Sequence, residues 1–292
     1  MNSPIIEDTY AEAFKTKAAH ILVTAATKRL ALIAATEATG FATSFIGCSA
    51  EAGIDMYMPP EKTPDGRPGY SIIICQNKTD QVKKQLLDRI GQCVLTAATT
   101  AVFNLIEDSE ETDNLGFKLA FFADGYQEKI EVYQKDMYKI PVMSGDFLIE
   151  ENFGITDAVA GGNLFVMAKT QASALMAAES AVNAIRNVEG VITPFPGGIV
   201  ASGSKVGSKE YKFMHATTNE EYCPTLKDEV DTKLPVDAQG VYEIVFDGLT
   251  EESIKKATRV AINAVKTVPG VLKISAGNYG GNLGKYKIRL IE

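Results

Sequence analysis

The sequence predicts a mixed α+β chain built as two sandwich lobes, and two observations carry that reading. The first is an internal repeat. The stretch Thr170 to Val191 returns as Thr250 to Val271, with Ser173 matching Ser253, Ala177 matching Ala257, Asn183 matching Asn263, Val188 matching Val268 and Gly190 matching Gly270. The second is size and composition: 292 residues at 46% hydrophobic content supply a core for each of two domains.

Each repeat copy reads as strand, helix, strand. Asn163 to Ala168 and Val241 to Phe246 are apolar runs of strand length. Each leads into a segment with Ala and branched apolar residues at helical spacing, and then through a V-x-G-V turn into another strand. Thr250 followed by Glu251 and Glu252 marks a helix start, because a hydroxyl caps orphan amides and acids suit the positive helix end. Gly190 and Gly270 suit the exits. Two such units in tandem make a βαββαβ, ferredoxin-like sandwich with both helices on one face of an antiparallel sheet.

The first half reads the same way without sequence identity to the second. The expected elements are strands His20 to Thr24, Thr43 to Cys48, Tyr70 to Cys75 and Leu115 to Phe122, with helices Lys28 to Thr39 and Asp80 to Thr96. Pro141 and Gly145 punctuate the junction, so the division expected is an N-terminal lobe over 1–145 and a C-terminal lobe with the internal repeat over 146–292. The stretches Glu107 to Asp113 and Lys227 to Asp237 read as solvated excursions.

Charge and composition narrow the function. A net charge of −8 argues against nonspecific binding to nucleic acid or anionic membranes. The longest uncharged run, Ile90 to Ile106, holds Gln92, Asn104 and several threonines and is a poor membrane span. MNSPIIEDTY shows no signal peptide, so a cytoplasmic location is expected. Cys48, Cys75, Cys93 and Cys223 are isolated, and with only His20 and His215 besides, reduced thiols and no protein metal site are expected.

Glycine-rich segments dominate the candidates for chemistry. Thr193 to Lys209, TPFPGGIVASGSKVGSK, combines close-approach glycines with Ser202, Ser204 and Ser208 and with Lys205 and Lys209. The composition equally fits an irregular edge strand or surface loop. Gly198 and Gly203 have phosphate-loop spacing, but Ser204 stands where that motif needs lysine. A second cluster, Gly277 to Gly284, follows the repeat copy of the same helix and strand. Gly161-Gly162-Asn163 and Asp124-Gly125-Tyr126-Gln127 add two more polar turns. Together the four suggest a pocket lined by amides and tyrosines for an extended polar small molecule, while tight turns explain any one of them.

Glu243 is the carboxylate singled out, inside the apolar strand from Val241 to Phe246. Two placements are open. On a solvated face it is ordinary; if buried, desolvation raises its pKa into the range useful for proton transfer near neutrality. Cys48-Ser-Ala-Glu51 offers a nucleophile without a neighbouring histidine, and Pro64-Asp-Gly-Arg67 reads first as a turn.

Longer motifs carry a resemblance. EDTYAEAF at Glu7 to Phe14, EATGF at Glu37 to Phe41, AEAGID at Ala50 to Asp55, TPDGRPG at Thr63 to Gly69, LLDRIGQCV at Leu86 to Val94, DGYQE at Asp124 to Glu128, FGIT at Phe153 to Thr156, VAGGN at Val159 to Asn163, PFPGGIVASGSKVGSK, and KISAGNYGG at Lys273 to Gly281 resemble the formylmethanofuran:tetrahydromethanopterin formyltransferase family nearly end to end. The resemblance implies two ferredoxin-like lobes per subunit, a homotetramer built as a dimer of dimers, no metal or prosthetic group, and an active site in a cleft at subunit contacts. It also implies reversible formyl transfer between the amine of methanofuran and N5 of tetrahydromethanopterin, with Glu243 at the reaction centre. In methylotrophic bacteria a relative works inside a larger formyltransferase/hydrolase complex. Because the carriers bear carboxylates and the pterin carrier a phosphate, Lys205, Lys209 and Arg67 are expected on their tails. Gly197, Gly198, Ser202, Ser204, Tyr126, Gln127, Asn278, Gly280 and Gly281 are expected to line the substrate site. The competing reading is a noncatalytic ligand-binding or assembly subunit with the same tandem lobes.

Overall fold

The computed structural model describes residues 3–291. The chain is α+β, its strands mostly antiparallel, and it resolves into two compact units. One is continuous, Thr16–Ala158; the other joins Met1–Lys15 to Val159–Glu292. The chain passes from one unit to the other inside two long strands, Tyr10–Thr24 and Phe153–Ala168.

In the unit holding the repeat, the four central strands are Phe153–Ala168, Val191–Ile192, Gly240–Gly248 and Val271–Ser275. The first pairs with the third and the fourth, and the second pairs with the third, so the spatial order is fourth, first, third, second, all antiparallel. Helices Gln171–Ile185 and Glu251–Val265 connect them. The repeat explains why they match. Ala177, Ala181, Val182 and Ile185 are buried on one helix, and Ala257, Ala261, Ile262 and Val265, each eighty positions on, are buried on the other. Both helices start on the expected threonine: Thr170 Oγ1 accepts the amide of Ser173 at 3.0 Å, and Thr250 Oγ1 that of Ser253 at 3.1 Å.

Strand alternation sorts side chains between two faces. Leu164, Val166, Ile244, Phe246 and Ile274 face the helices and form the main core of this unit. Phe165, Met167 and Val241 point the other way, into a smaller cluster with Leu234, Ala238 and Tyr222. That second face is covered by the long excursion between Ile192 and Gly240. Within it, Leu234 and Ala238 are buried and Lys227 is tied to the carbonyls of Val236 (2.9 Å) and Ala238; the stretch Lys227 to Asp237 is largely exposed, as expected, but anchors on the sheet through Leu234.

The unit Thr16–Ala158 has the same spatial order with other elements. Tyr10–Thr24 pairs with Gly69–Gln76 and with Ala101–Asn104, and Glu51–Met58 pairs with Gly69–Gln76. Helix Lys28–Thr39 stands where the sequence places it, capped by Thr27. Four expectations are revised here. Thr43 to Cys48 is a turn, in which the Ser44 carbonyl accepts the amides of Gly47 (3.1 Å) and Cys48 (2.8 Å), and the strand begins at Glu51. Leu115 to Phe122 is a helix, Leu115–Ala120, followed by a 3-10 turn; Leu115, Leu119 and Ala120 are buried at helical spacing. Its place as fourth strand is taken by Ala101–Asn104, four buried residues too short to show a period. The expected helix Asp80 to Thr96 is α-helical over Thr79–Arg89 and turns π-helical over Ile90–Val94. Glu107 to Asp113, expected as solvated, ends in a strand, Glu111–Asp113, paired with Phe153, Gly154 and Ile155. No helix among the described residues is long and apolar enough to cross a membrane.

Close packing at Gly162 offers a test. A Cβ there would stand 2.7 Å from Cε2 of the fully buried Phe246. Gly162→Ala is therefore expected to lower stability by about 1–3 kcal/mol through overpacking, measured by urea denaturation.

Candidate active site

Register places Glu243 beside Phe165 on the neighbouring strand, and Phe165 beside Ser275 on the next. All three sit on the sheet face away from the helices. The excursion reaches this row at Val200, whose amide donates to the Glu243 carbonyl at 2.8 Å while its carbonyl accepts the Glu243 amide at 3.2 Å. Tyr222 from the same excursion stacks on Phe165 with ring centroids 4.4 Å apart. Between them lies a cavity of about 150 Å3, with Glu243, Phe165, Val200, Ser202, Asn219 and Tyr222 among its walls. At roughly 30 Å3 per water, this space suits a small reacting group rather than a whole extended ligand.

The Glu243 carboxyl has no hydrogen-bond partner among the described residues, and burial pushes its pKa up from 4.5 to about 7. The apolar wall of Phe165 and Val200 supplies the physical cause: it removes water without replacing it by a donor. Of the two placements left open by the sequence, the structure gives neither in full: Glu243 is half-buried in the cavity wall, with enough desolvation to raise its carboxyl. A group half-ionised at neutral pH is suited to take up and return a proton.

The second glycine-rich segment is held by a different carboxylate. Glu12, 1% exposed, accepts the main-chain amides of Tyr279 (2.7 Å), Gly281 (3.0 Å), Leu283 and Gly284. Burial alone would raise its pKa, but these amides outweigh it and hold the carboxyl below its ordinary range. Asn278, one of the expected site residues, bonds Thr9 Oγ1 at 3.0 Å and accepts the Gly280 amide at 3.3 Å. Gly281 adopts φ 75°, and a Cβ there would stand 2.6 Å from the Tyr10 hydroxyl.

The first glycine-rich segment divides into parts. Gly197 and Gly198 form a turn after Pro196 with φ of 65° and 83°; Gly198 is buried, and a Cβ on it would stand 2.7 Å from Val182. Ser202 lines the cavity and Ser204 does not; both are exposed. Lys205 pairs with Glu220, and Lys209 reaches the same carboxylate at 2.8 Å. The two lysines together draw the Glu220 carboxyl down to about 2. Arg67, Tyr126 and Gln127 belong to the other unit. There Arg67 bonds Asp65 (2.8 Å), the Thr99 carbonyl (2.5 Å) and Thr24, Tyr126 is largely exposed, and Gln127 accepts the Gly125 amide. The structure thus brings Glu243 and Ser202 together in one cavity, whereas Gly198 packs against Val182 of the helix-side core. Sequence reasoning missed Glu12, Phe165, Tyr222 and Tyr279. A signal existed for Glu12, a charge between Ala11 and Ala13 in an apolar strand, the same signal that singled out Glu243.

Among the described residues, no group of three or more His, Cys, Asp or Glu side chains is arranged to hold a metal ion. A carboxyl raised toward neutrality beside a small cavity, on an α+β scaffold, fits an enzyme that uses acid–base chemistry. Comparison with known proteins specifies which. The chain belongs to the formylmethanofuran–tetrahydromethanopterin formyltransferase family: residues 1–142 match that family and residues 145–292 match its proximal lobe. The formylmethanofuran–tetrahydromethanopterin formyltransferase of Methanothermobacter thermautotrophicus is 62% identical over 291 residues, spanning 99% of this chain and 98% of that one. That of Methanocaldococcus jannaschii is 59% identical, spanning 100% and 98%. Among solved structures, the Methanosarcina barkeri enzyme superposes with a TM-score of 0.96 at 59% identity, covering 98% of this chain and 97% of that one. The formyltransferase/hydrolase complex from Methylorubrum extorquens with methylofuran contains a chain at TM-score 0.93 and 43% identity, covering 98% and 96%.

The Glu243 environment has a consequence for stability. Between pH 4.5 and about 7 the folded chain keeps a proton that the unfolded chain has released, so stability falls as pH rises across that window and the penalty is complete above it. Glu243→Gln, which cannot ionise, is expected to be more stable than the native sequence at pH 8, by at most about 3 kcal/mol, and nearly equal to it at pH 4. Urea titrations at the two pH values measure the difference.

Proposed function

We propose that this chain catalyses reversible transfer of a formyl group between the amine of methanofuran and N5 of tetrahydromethanopterin, with Glu243 as the proton carrier. The observation that carries the reading is Glu243 itself, unpartnered and titrating near neutrality in a cavity large enough for the reacting groups. Membership of the family and the names of its relatives support the substrates.

The reaction proceeds by direct attack. The nucleophilic amine adds to the formyl carbon and yields a tetrahedral oxyanion, and its surplus proton passes to the Glu243 carboxylate. Glu243 returns that proton to the departing nitrogen as the old C–N bond breaks. Formamides are poor electrophiles, so orientation carries much of the load, about 7–11 kcal/mol where reactants are well aligned. Each donor aimed at the oxyanion adds about 3–4 kcal/mol. Ser202 and the amides of the turn at Ala201 to Gly203, beside the cavity, fit that role. Gly197, Gly198, Ser204, Tyr126, Gln127, Asn278, Gly280 and Gly281 extend the substrate site, with Lys205, Lys209 and Arg67 on the anionic tails. Glu220 then holds Lys205 and Lys209 until a ligand carboxylate or phosphate replaces it.

In each unit, the strand order of fourth, first, third, second supports a ferredoxin-like assignment. The matched segments 1–142 and 145–292 support lobes over 1–145 and 146–292, the first fifteen residues packing with the second lobe. The assembly is a homotetramer, a dimer of dimers, in the cytoplasm, working without a prosthetic group. The archaeal sources of the curated relatives favour this free form over a subunit of a formyltransferase/hydrolase complex.

With authentic formylmethanofuran and tetrahydromethanopterin, the purified protein is expected to form formyl-pterin, followed by absorbance. The absence of product would favour a noncatalytic binding subunit. Glu243→Gln should fold and assemble normally yet lose about 10²–10⁴ of turnover. In the direction that starts by deprotonating Glu243's partner amine, the native rate should rise with pH through an inflection near 7. Lys205→Met should raise the Michaelis constant much more than it lowers turnover, as steady-state kinetics on each carrier would record.

A further inference from the structure

Among the buried carboxylates that the mechanism leaves unused is Glu12. Glu12 lies on the strand that also carries Phe14, and it holds the arm Gly277 to Gly284 from several directions. Its side chain accepts the four amides of Tyr279, Gly281, Leu283 and Gly284, and its own amide donates to the Gly277 carbonyl at 3.2 Å. Asn163 fixes the base of the arm by accepting the Gly277 amide at 2.8 Å. Four amides on one carboxylate are far more than an exposed loop needs. They set the backbone of Tyr279 at one place.

Tyr279 stands next to the candidate active site. Gly277, two residues before it, sits so close to Phe165 that a Cβ would meet that ring at 3.4 Å, and Phe165 is the cross-strand neighbour of Glu243. The Tyr279 ring is 6.2 Å from Phe14, while 41% of the residue remains exposed. Burial, then the charge of Glu243, then that of Glu12 raise the Tyr279 phenol. A phenol that keeps its proton is available as a hydrogen-bond donor.

We propose that Glu12 is a positioning residue for formyl transfer: by clasping the arm from Gly277 to Gly284 it holds Tyr279 over the Glu243 cavity, where the tyrosine screens Glu243 from water and donates to the bound ligand. This rests on the reading of Glu243 as proton carrier. Glu12→Asp keeps the charge but shortens the side chain, so it cannot reach all four amides; Tyr279→Phe removes only the hydroxyl and leaves the amide network whole.

The test is a double-mutant cycle on E12D and Y279F, with kcat and Michaelis constants for both carriers and a pH–rate profile. Each single variant is expected to lower kcat about tenfold with smaller changes in the Michaelis constants, and the double variant to lose no more than the worse single one. E12D should also move the inflection near pH 7 downward, because a loosened arm admits water to Glu243. Native kcat in Y279F, additive losses in the double variant, or an unmoved inflection in E12D would each overturn the proposal. Should E12D not fold, native kcat in Y279F would still overturn it and a tenfold loss would support it. Glu243→Gln separates the two readings: loss of turnover there with native kinetics in E12D and Y279F removes only the role of Glu12 and Tyr279, whereas turnover retained in Glu243→Gln removes the underlying mechanism.

Discussion

The withholding of water from the Glu243 carboxyl is the constraint around which this half of the molecule is arranged. A β-sheet whose helices all lie on one side leaves its other side bare. Here that side carries Phe165, Met167, Val241 and Glu243, and the excursion after Ile192 covers it with Val200, Tyr222, Leu234 and Ala238. Because Val200 and Glu243 satisfy each other's main chain, the cover closes without lending a donor to the side chain. A group held in this way costs stability, and such costs concentrate where chemistry is done.

Three carboxylates in one unit show how surroundings divide a single chemical group among tasks. Glu243 meets apolar walls and titrates at about 7. Glu12 is buried more completely, yet stays ionised because four amides replace the water it lost. Glu220 is gripped by two lysines and is drawn to about 2. Depth of burial alone does not order these three. The number and charge of the donors within reach does.

How much of this was legible in the sequence depended on whether the signal was local. The repeat fixed the helix caps at Thr170 and Thr250 and the buried faces of both helices, because caps and 3.6-residue spacing are written within a few residues. Thr43 to Cys48 and Leu115 to Phe122 misled because short apolar runs have no decisive period, and hydrogen bonds to Ser44 and packing of Leu115 and Leu119 decided them. Glu243 stood out as a charge in an apolar strand, but which face it occupied depended on the excursion some forty residues upstream. Lys205 and Lys209 show the opposite difficulty. Their charge was visible, while their shared partner Glu220 could be found only once Lys205 and Val206 paired with Ala216 and Thr217.

The interleaved connectivity bears on how the chain is made. Thr16–Ala158 is continuous, so all of its sheet has been synthesised before the second half emerges from the ribosome. The first fifteen residues are in the opposite position. Tyr10 to Ala13 pair with Tyr286 to Arg289, Ile5 and Ile6 pair with Lys273 and Ile274, and the amides that satisfy Glu12 come from Tyr279 to Gly284, so this segment waits for partners made far later in the chain. Until that later segment is made, Glu12 is a carboxylate without its donors. Pairing these two distant segments is then a late step of folding, and it completes the arm held by Glu12 only once both have been made.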